Sequence, residues 1–338
     1  MPEKGAPMTG NVLRIGFLIF PGFPMSCLTS VIEPLRAANE ISGRIAFAWD
    51  LISDGEMQVM SSAGIAFEAT QSLAKLEGCD YLLLLSAPTS VFRDPRTAAY
   101  LRHAARHGTV LGAISGGVFP LVRSGAVPNT PLSVHWCYDA AFRAEFPEIK
   151  ASSRVIETTP RCVTASGAAA AFDLALGLVE TALGSEVATE VACWFQHPIV
   201  RKAGMQQIVP VSGGDQQSDM PPLVAQAIGL FARDLAQPLS VADVAEALDI
   251  TPRHLERSFK KATGQNPTGY FRQMRMKAAR QIVMYSNDSM TEIAEAVGYA
   301  SVKSFNRHYV EAFGLPPKED RRRINLNRVR ENSPVPSV

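Results

Sequence analysis

Arg253, His254 and Arg257 follow Thr251 and Pro252 at the start of one short polar stretch. Lys303, Ser304, Asn306 and Arg307 follow Ser301 in another. Arginine and asparagine can bond two atoms of a guanine or adenine edge at once, and lysine and serine add phosphate or single base contacts. Side chains of this kind at the first turns of a helix are placed as a recognition helix needs them, with its N-terminal half toward the major groove. Lys260, Lys261 and His308 extend the same two faces.

The elements that must carry these groups are legible from spacing. Val241, Val244, Ala245 and Leu248 repeat at helical intervals, as do Ile293, Ala294 and Val297. Ser240 and Ser289 are N-caps, and Ser289 with Glu292 makes a capping box. Tight turns are expected at Asp249 and Ile250, and at Gly298, Tyr299 and Ala300, with Gly298 free to adopt the left-handed backbone that ends a helix. A second helix then opens in each unit, capped by Thr251 with Pro252 in its first turn, or by Ser301. Leu255 and Phe259, and Phe305 and Tyr309, supply the buried sides. Residues 240–264 and 289–314 thus read as two helix-turn-helix units joined by a helix over 268–285. One basic helix face is compatible with an ordinary solvated bundle; two such units in tandem point to DNA.

Residues 238–323 resemble the AraC/XylS family of bacterial transcription regulators. The resemblance rests on IAEAVGY (293–299), SxxSFNRHY (301–309) and FGLPP (313–317). It implies two recognition helices in successive major grooves of double-stranded operator half-sites. Tyr299 stands where the family often has phenylalanine, and its hydroxyl needs only an accessible edge.

Composition bounds the rest. The chain has 338 residues, 46% hydrophobic and 19% charged, which suits about two packed domains of ~100–200 residues each. The net charge of +1 conceals an asymmetry: residues 221–330 hold 17 Lys+Arg against 11 Asp+Glu, whereas residues 1–220 hold 16 against 20. A polyanion partner therefore suits only the C-terminal part. Cys27, Cys79, Cys137, Cys162 and Cys193 are odd in number and lack metal-ligand spacing, so reduced thiols in a cytoplasmic, nucleoid-associated protein are expected, with no metal and no cofactor. No apolar run is long enough to span a membrane, and the N-terminus lacks an apolar signal core.

The N-terminal half alternates short apolar runs with helical patterns. Strands are expected at 12–20, 47–53, 81–86 and 109–114, then at 132–136, 153–157 and 162–165; 61–68 reads as a hairpin-like addition. Helices are expected at 25–41, 95–107, 167–183 and 186–196. This predicts an α/β domain with a doubly wound, mostly parallel, flavodoxin-like sheet, followed by an all-α tandem helix-turn-helix domain. The domain plan is a disordered arm over 1–10, a sensing domain over 11–205, a Gly/Pro/Ser/Gln-rich linker over 206–222, a DNA-binding domain over 223–327 and a disordered tail over 328–338.

Ligands of open α/β sheets sit at the carboxyl ends of the strands. The elbow AISGG (113–117) runs from a buried strand through small residues into a helix, which places Ser115 at a nucleophile position or, alternatively, as a simple cap. His135 and Trp136 follow after another strand. Residues 13–183 resemble the PfpI/glutamine-amidotransferase-like superfamily, on the elbow, SVHW (133–136) and VTASGAAAAFDLALGLVE (163–180). Fused to an AraC-type domain, this makes the chain similar to a GlxA-type regulator. EPLRAAN (33–39) resembles the subgroup responding to quaternary amines and amino-acid catabolites. Catalytic members of the superfamily place Cys at the elbow and a carboxylate on the loop after the first strand. This chain has Ser115 and Cys27 there, and keeps His135.

The favoured reading is a pocket that kept its cleft and lost its chemistry, lined by Phe23, Cys27, Glu33, Ser115, Gly116, His135 and Trp136. Phe20 and Phe119 also lie on strand ends or loops near this cleft. Aromatic faces with a carboxylate would suit a quaternary ammonium. The whole then reads as a homodimeric transcription regulator, an activator acting with RNA polymerase, which responds to a small-molecule effector. The rival is an amidase, glyoxalase-like or esterase activity at Ser115 with an appended DNA-binding domain.

Overall fold

The computed structural model describes residues 12–127, 129–197, 204–207, 220–232, 235–286 and 288–326. The expected arm (1–10), most of the linker (208–219) and the tail (328–338) lie outside the described residues. The chain divides between Gln207 and Ile208 into two compact units.

The first unit is built on a seven-stranded sheet. In chain order its main elements are β1 (Leu13–Ile19), α1 (Met25–Ser42), β2 (Phe47–Ser53), a hairpin of β3 (Gln58–Met60) and β4 (Ala66–Glu68), β5 (Gln71–Ser72), β6 (Tyr81–Ser86), α2 (Thr97–Arg106), β7 (Val110–Ser115) and α3 (Val118–Arg123). There follow β8 (Leu132–Ser133), α4 (Asp139–Glu145), β9 (Ala151–Ser152), β10 (Ile156–Thr158), β11 (Cys162–Ala165), α5 (Ala168–Leu183) and α6 (Ser185–Trp194). The sheet order is β10-β11-β7-β6-β1-β2-β5, and every pairing is parallel except that of β10 with β11.

The pleat explains why these strands read as continuous apolar runs. Ile15, Phe17, Ile19, Leu83 and Leu85 share one core with α1, α5 and α6. The alternate residues Leu18, Leu82 and Leu84 are equally buried and face the other side, where α2 and α3 pack on the central strands. Each such side chain contributes ~1.5–3 kcal/mol by leaving water. Helices on both faces make the sheet doubly wound. The strand expected over 132–136 is shorter than its pattern: after Ser133 the chain turns into a 3-10 segment, Trp136–Tyr138. Of the strand expected over 153–157 only 156–157 is strand, at the start of β10, and β9 lies before it.

The second unit is all helical: α7 (Pro222–Ala232), α8 (Val241–Ala247), α9 (Pro252–Thr263), α10 (Pro267–Tyr285), α11 (Met290–Ala296), α12 (Val302–Phe313) and α13 (Pro317–Leu326). Around the first helix-turn-helix, Phe231 of α7 stacks on Phe271 of α10 at 4.7 Å and meets the edge of Phe259 of α9 at 6.2 Å. Around the second, Ile293, Phe305 and Tyr309 are fully enclosed. No helix among the described residues is long and apolar enough to cross a membrane.

Candidate nucleic-acid interface and the elbow of the sheet

Each helix-turn-helix is started by side chains satisfying the backbone N–H groups that a helix leaves open. Ser240 Oγ accepts from Asp243 N–H at 3.1 Å and Asp243 Oδ2 accepts from Ser240 N–H at 2.8 Å, a full capping box. Ser289 and Glu292 repeat it at 3.2 and 2.7 Å. Thr251 and Ser301 cap α9 and α12, accepting from His254 and Ser304 N–H at 3.2 Å each. The first turn bends at Asp249, with φ +54°, and the second at Gly298, with φ +72°. A Cβ at Gly298 would run into the carbonyl oxygen of Leu235, so the loop before α8 lies against the turn of the second helix-turn-helix.

On α9, Leu255 and Phe259 point inward while Arg253, His254 and Arg257 are exposed. These three, with Thr251, Glu256, Lys260 and Asn266, line an open concavity of about 700 Å³. Asn266 caps α10, accepting from Gly269 N–H at 2.7 Å. On α12, Phe305 and Tyr309 point inward, and Lys303 and Arg307 are exposed. Arg307 has Glu311 only at 4.0 Å, a contact too long and too solvated to hold it.

Behind α12 two polar networks fix its roll. Tyr309 O–H donates to Asp320 Oδ2 at 2.8 Å, and Asp320, nearly buried, also receives Arg280 at 2.8 and 3.2 Å. Desolvation and this carboxylate push the Tyr309 hydroxyl well above the ordinary phenol range. In the other network, Arg275 of α10 donates to the carbonyls of Val297, at 2.5 Å, and Gly298. Its guanidinium also covers the Tyr299 ring, whose hydroxyl lies 2.9 Å from His308 Nδ1. Burial, with the nearby arginines, lowers the His308 pKa.

In the first unit, β7 ends in Ser115 with φ +55°, an uncommon backbone for a serine. Gly116 and Gly117 then press on β6: a Cβ on either would meet the carbonyl oxygen of Ser86 or Leu84. Ile114 pairs with Ala165 of β11, which sets Ser166 beside Ser115. A Cβ on Gly167 would lie 3.3 Å from His135 Cδ2, so His135 stands at the same end of the sheet.

His135 Nδ1 accepts from Cys137 N–H at 3.3 Å and lies 3.0 Å from Cys137 Sγ. An Nδ1 that accepts leaves the neutral ring's proton on Nε2. Burial lowers the His135 pKa to about 4, so the ring is neutral near pH 7. A general base of the triad kind needs the opposite tautomer, with Nδ1–H donated to an orienting group and Nε2 free to accept.

A helix-turn-helix domain model matches residues 244–323. The HTH-type transcriptional regulator GbdR of Pseudomonas aeruginosa is 30% identical over 335 residues, which cover 98% of this chain and 90% of that protein. The HTH-type transcriptional regulator GlxA of Rhizobium meliloti is 27% identical over 315 residues, covering 93% and 97%. An AraC family transcriptional regulator from Pseudomonas putida, a solved structure, is similar at TM-score 0.49 and 25% identity, covering 54% of this chain and 99% of that one. The chain belongs to the AraC family of HTH-type transcriptional regulators. It is a DNA-binding regulator of transcription.

Several residues of the regulator lie otherwise than their sequence suggests. Ser115 is fully enclosed, so the exposed hydroxyl expected of an elbow is not there. Phe23 is also 0% exposed and meets the edge of Phe67 at 5.3 Å. Cys27 lies on the core-facing side of α1, its thiol pushed up to about 12 by burial. Glu33 stands on a half-exposed face of α1 and pairs with Arg36 at 2.9 Å instead of offering its carboxylate to a cleft. Gly116 is packed on Ser86, and Trp136 is half-buried beside His135.

Asn306 of the regulator is half-buried, with its Oδ1 enclosed and without a partner. A bidentate adenine contact needs both amide atoms at the surface, and in this arrangement one of the two is enclosed. Ser304 is half-buried too, its N–H committed to Ser301. Tyr299, expected to leave its hydroxyl at an edge, gives it His308 as a partner. Arg275, Asn266 and Asp243 were not legible as functional residues. Asn before Pro at 266, repeating Thr before Pro at 251, was the available signal for one of them.

Proposed function

We propose that this regulator recognises operator half-sites through Arg253, His254 and Arg257 of α9 and Lys303 and Arg307 of α12. Occupancy is governed by a small effector at the carboxyl ends of β1, β6, β7 and β11. The observation that carries the second part is the state of His135. The site keeps the elbow and the histidine, but the ring is neutral, has its Nδ1 turned to Cys137, and stands near an enclosed hydroxyl. Such a site suits binding rather than nucleophilic catalysis, which needs base and orienter together.

The protein acts as a homodimer in the cytoplasm, on the nucleoid, and activates transcription through RNA polymerase. The effector is a quaternary amine or an amino-acid catabolite; Trp136 offers it an aromatic face. Its binding must differ between two arrangements of the protein to change DNA occupancy.

The test is selection of genomic fragments by the purified full chain at physiological salt, repeated with trimethylammonium carboxylates and free amino acids. Recovery of a few sites, with occupancy altered by one compound class, supports the reading. Recovery spread evenly over the genome would sink specific recognition. Hydrolysis of ester or amide substrates by the parent protein, lost in Ser115→Ala, would restore the enzyme reading.

A further inference from the structure

Gln207, the last described residue of the α/β unit, is bonded to both neighbours of His135. Its side-chain Oε1 accepts from Trp136 N–H at 2.9 Å, and its Nε2 donates to the Val134 carbonyl at 2.7 Å. Its own N–H donates to the Ser153 carbonyl at 2.8 Å, and the Met205 carbonyl accepts from Val155 N–H at 2.9 Å. Gln206 forms an antiparallel bridge with Arg154. Residues 205–207 therefore lie as an added strand along 153–155. From there one side chain reaches across to the loop that carries His135.

The geometry makes the two side-chain bonds a single unit. A primary amide offers one acceptor and two donors at fixed spacing. Here it matches the C=O of residue 134 and the N–H of residue 136 only while the intervening residue keeps its present backbone angles. A rotation at His135 breaks both bonds at once, leaving a carbonyl and an N–H unpaired in a half-buried place. The chain leaving Gln207 leads directly into residues 208–219 and then the helical unit.

We propose that Gln207 is a positioning residue: it ties the His135 loop to the segment that leads into the DNA-binding unit, so the conformation of that loop is passed to operator occupancy. This rests on the reading of the His135 loop as the sensing element.

The test is a double-mutant cycle on the full chain, using as probe the highest-affinity genomic fragment recovered by selection. Gln207→Ala and His135→Ala should each change the operator Kd at least fivefold in the same direction, and the double variant should equal the larger single effect. Gln207→Glu keeps the acceptor for Trp136 N–H and loses the donor to Val134; it should fall between. It also carries the test should Gln207→Ala unfold the α/β unit. The slope of affinity against salt should not move, because no phosphate contact is altered. A Gln207→Ala Kd within twofold of the parent overturns the proposal, and so do single effects that multiply. Failure of the sensing reading is scored separately: none of the trimethylammonium or amino-acid probes would then shift the melting of the parent protein, whatever the cycle gives.

Discussion

The guanidinium of Arg275 lies 4.1 Å above the ring of Tyr299 while donating to the two carbonyls that precede that ring, on Val297 and Gly298. One side chain of the connecting helix thus holds the turn of the second helix-turn-helix and the aromatic residue whose hydroxyl meets His308 on α12. Arg275→Ala should destabilise the helical unit by about 2–3 kcal/mol, the value of charge-assisted bonds to carbonyls left unpaired. Arg275→Lys should recover less than half, since an ammonium has no planar fork. Urea unfolding of the helical unit's signal measures both, and unchanged stability in Arg275→Ala would contradict the clamp.

The Asp320 network predicts a comparable loss. Asp320→Ala leaves the half-exposed Arg280 and the buried Tyr309 hydroxyl without their shared acceptor, at a cost of about 2–3 kcal/mol. Tyr309→Phe should cost only about 1 kcal/mol, because the carboxylate keeps its arginine. Denaturant midpoints rank the two, and equal losses would show that the Arg280 pair contributes nothing.

His135 predicts a pH dependence confined to the α/β unit. Its folded pKa of about 4 lies below the ordinary 6.5, so the unfolded chain takes up the proton first. Stability from this group is complete above pH 6.5 and is lost as pH falls toward about 4, by roughly 1.4 kcal/mol per pH unit. His135→Asn should be less sensitive to acid than the parent across that window. Parallel loss in both proteins would place the sensitivity elsewhere.

The two recognition helices predict distinct classes of DNA variant. Arg257→Ala and Arg307→Ala should each cost about 1–3 kcal/mol of specific affinity and relax one base position. Lys303→Ala should weaken all sequences alike and lower the salt slope by about 1. Asn306→Ala should leave base preference unchanged, because its Oδ1 is enclosed. Binding to a set of single-substitution operators separates these outcomes.

The parts of this molecule that were legible in the sequence are those whose cause is local. The strands 47–53 and 81–86 coincide with β2 and β6; in β6, buried from Leu82 to Ser86, cover on both faces makes the run apolar, and β2 keeps Phe47, Leu51 and Ile52 around a half-buried Asp50. The capping residues Ser289, Thr251 and Ser301 fall where expected, because a cap acts within three residues. What was not legible depends on distant partners. The 132–136 strand gives way after Ser133, whose N–H goes to Thr164 Oγ1 at 2.8 Å, and Trp136 N–H is claimed by Gln207. Nothing near residue 135 announces either contact. The same holds for Asn306: its place on the helix was readable, but the enclosure of its amide depends on what packs around α12.

The contact of Leu235 and its loop with Gly298 has a consequence for operator architecture. From its contact with that turn the chain builds α8 and α9, crosses α10 and returns through α11 to the same turn, so the two reading helices sit in a closed frame and not on a single bending rod. Their phase along the duplex is then a property of the protein. An operator with one base pair inserted between its two contact elements cannot be rescued by flexing the connector; it must be met by twisting the DNA.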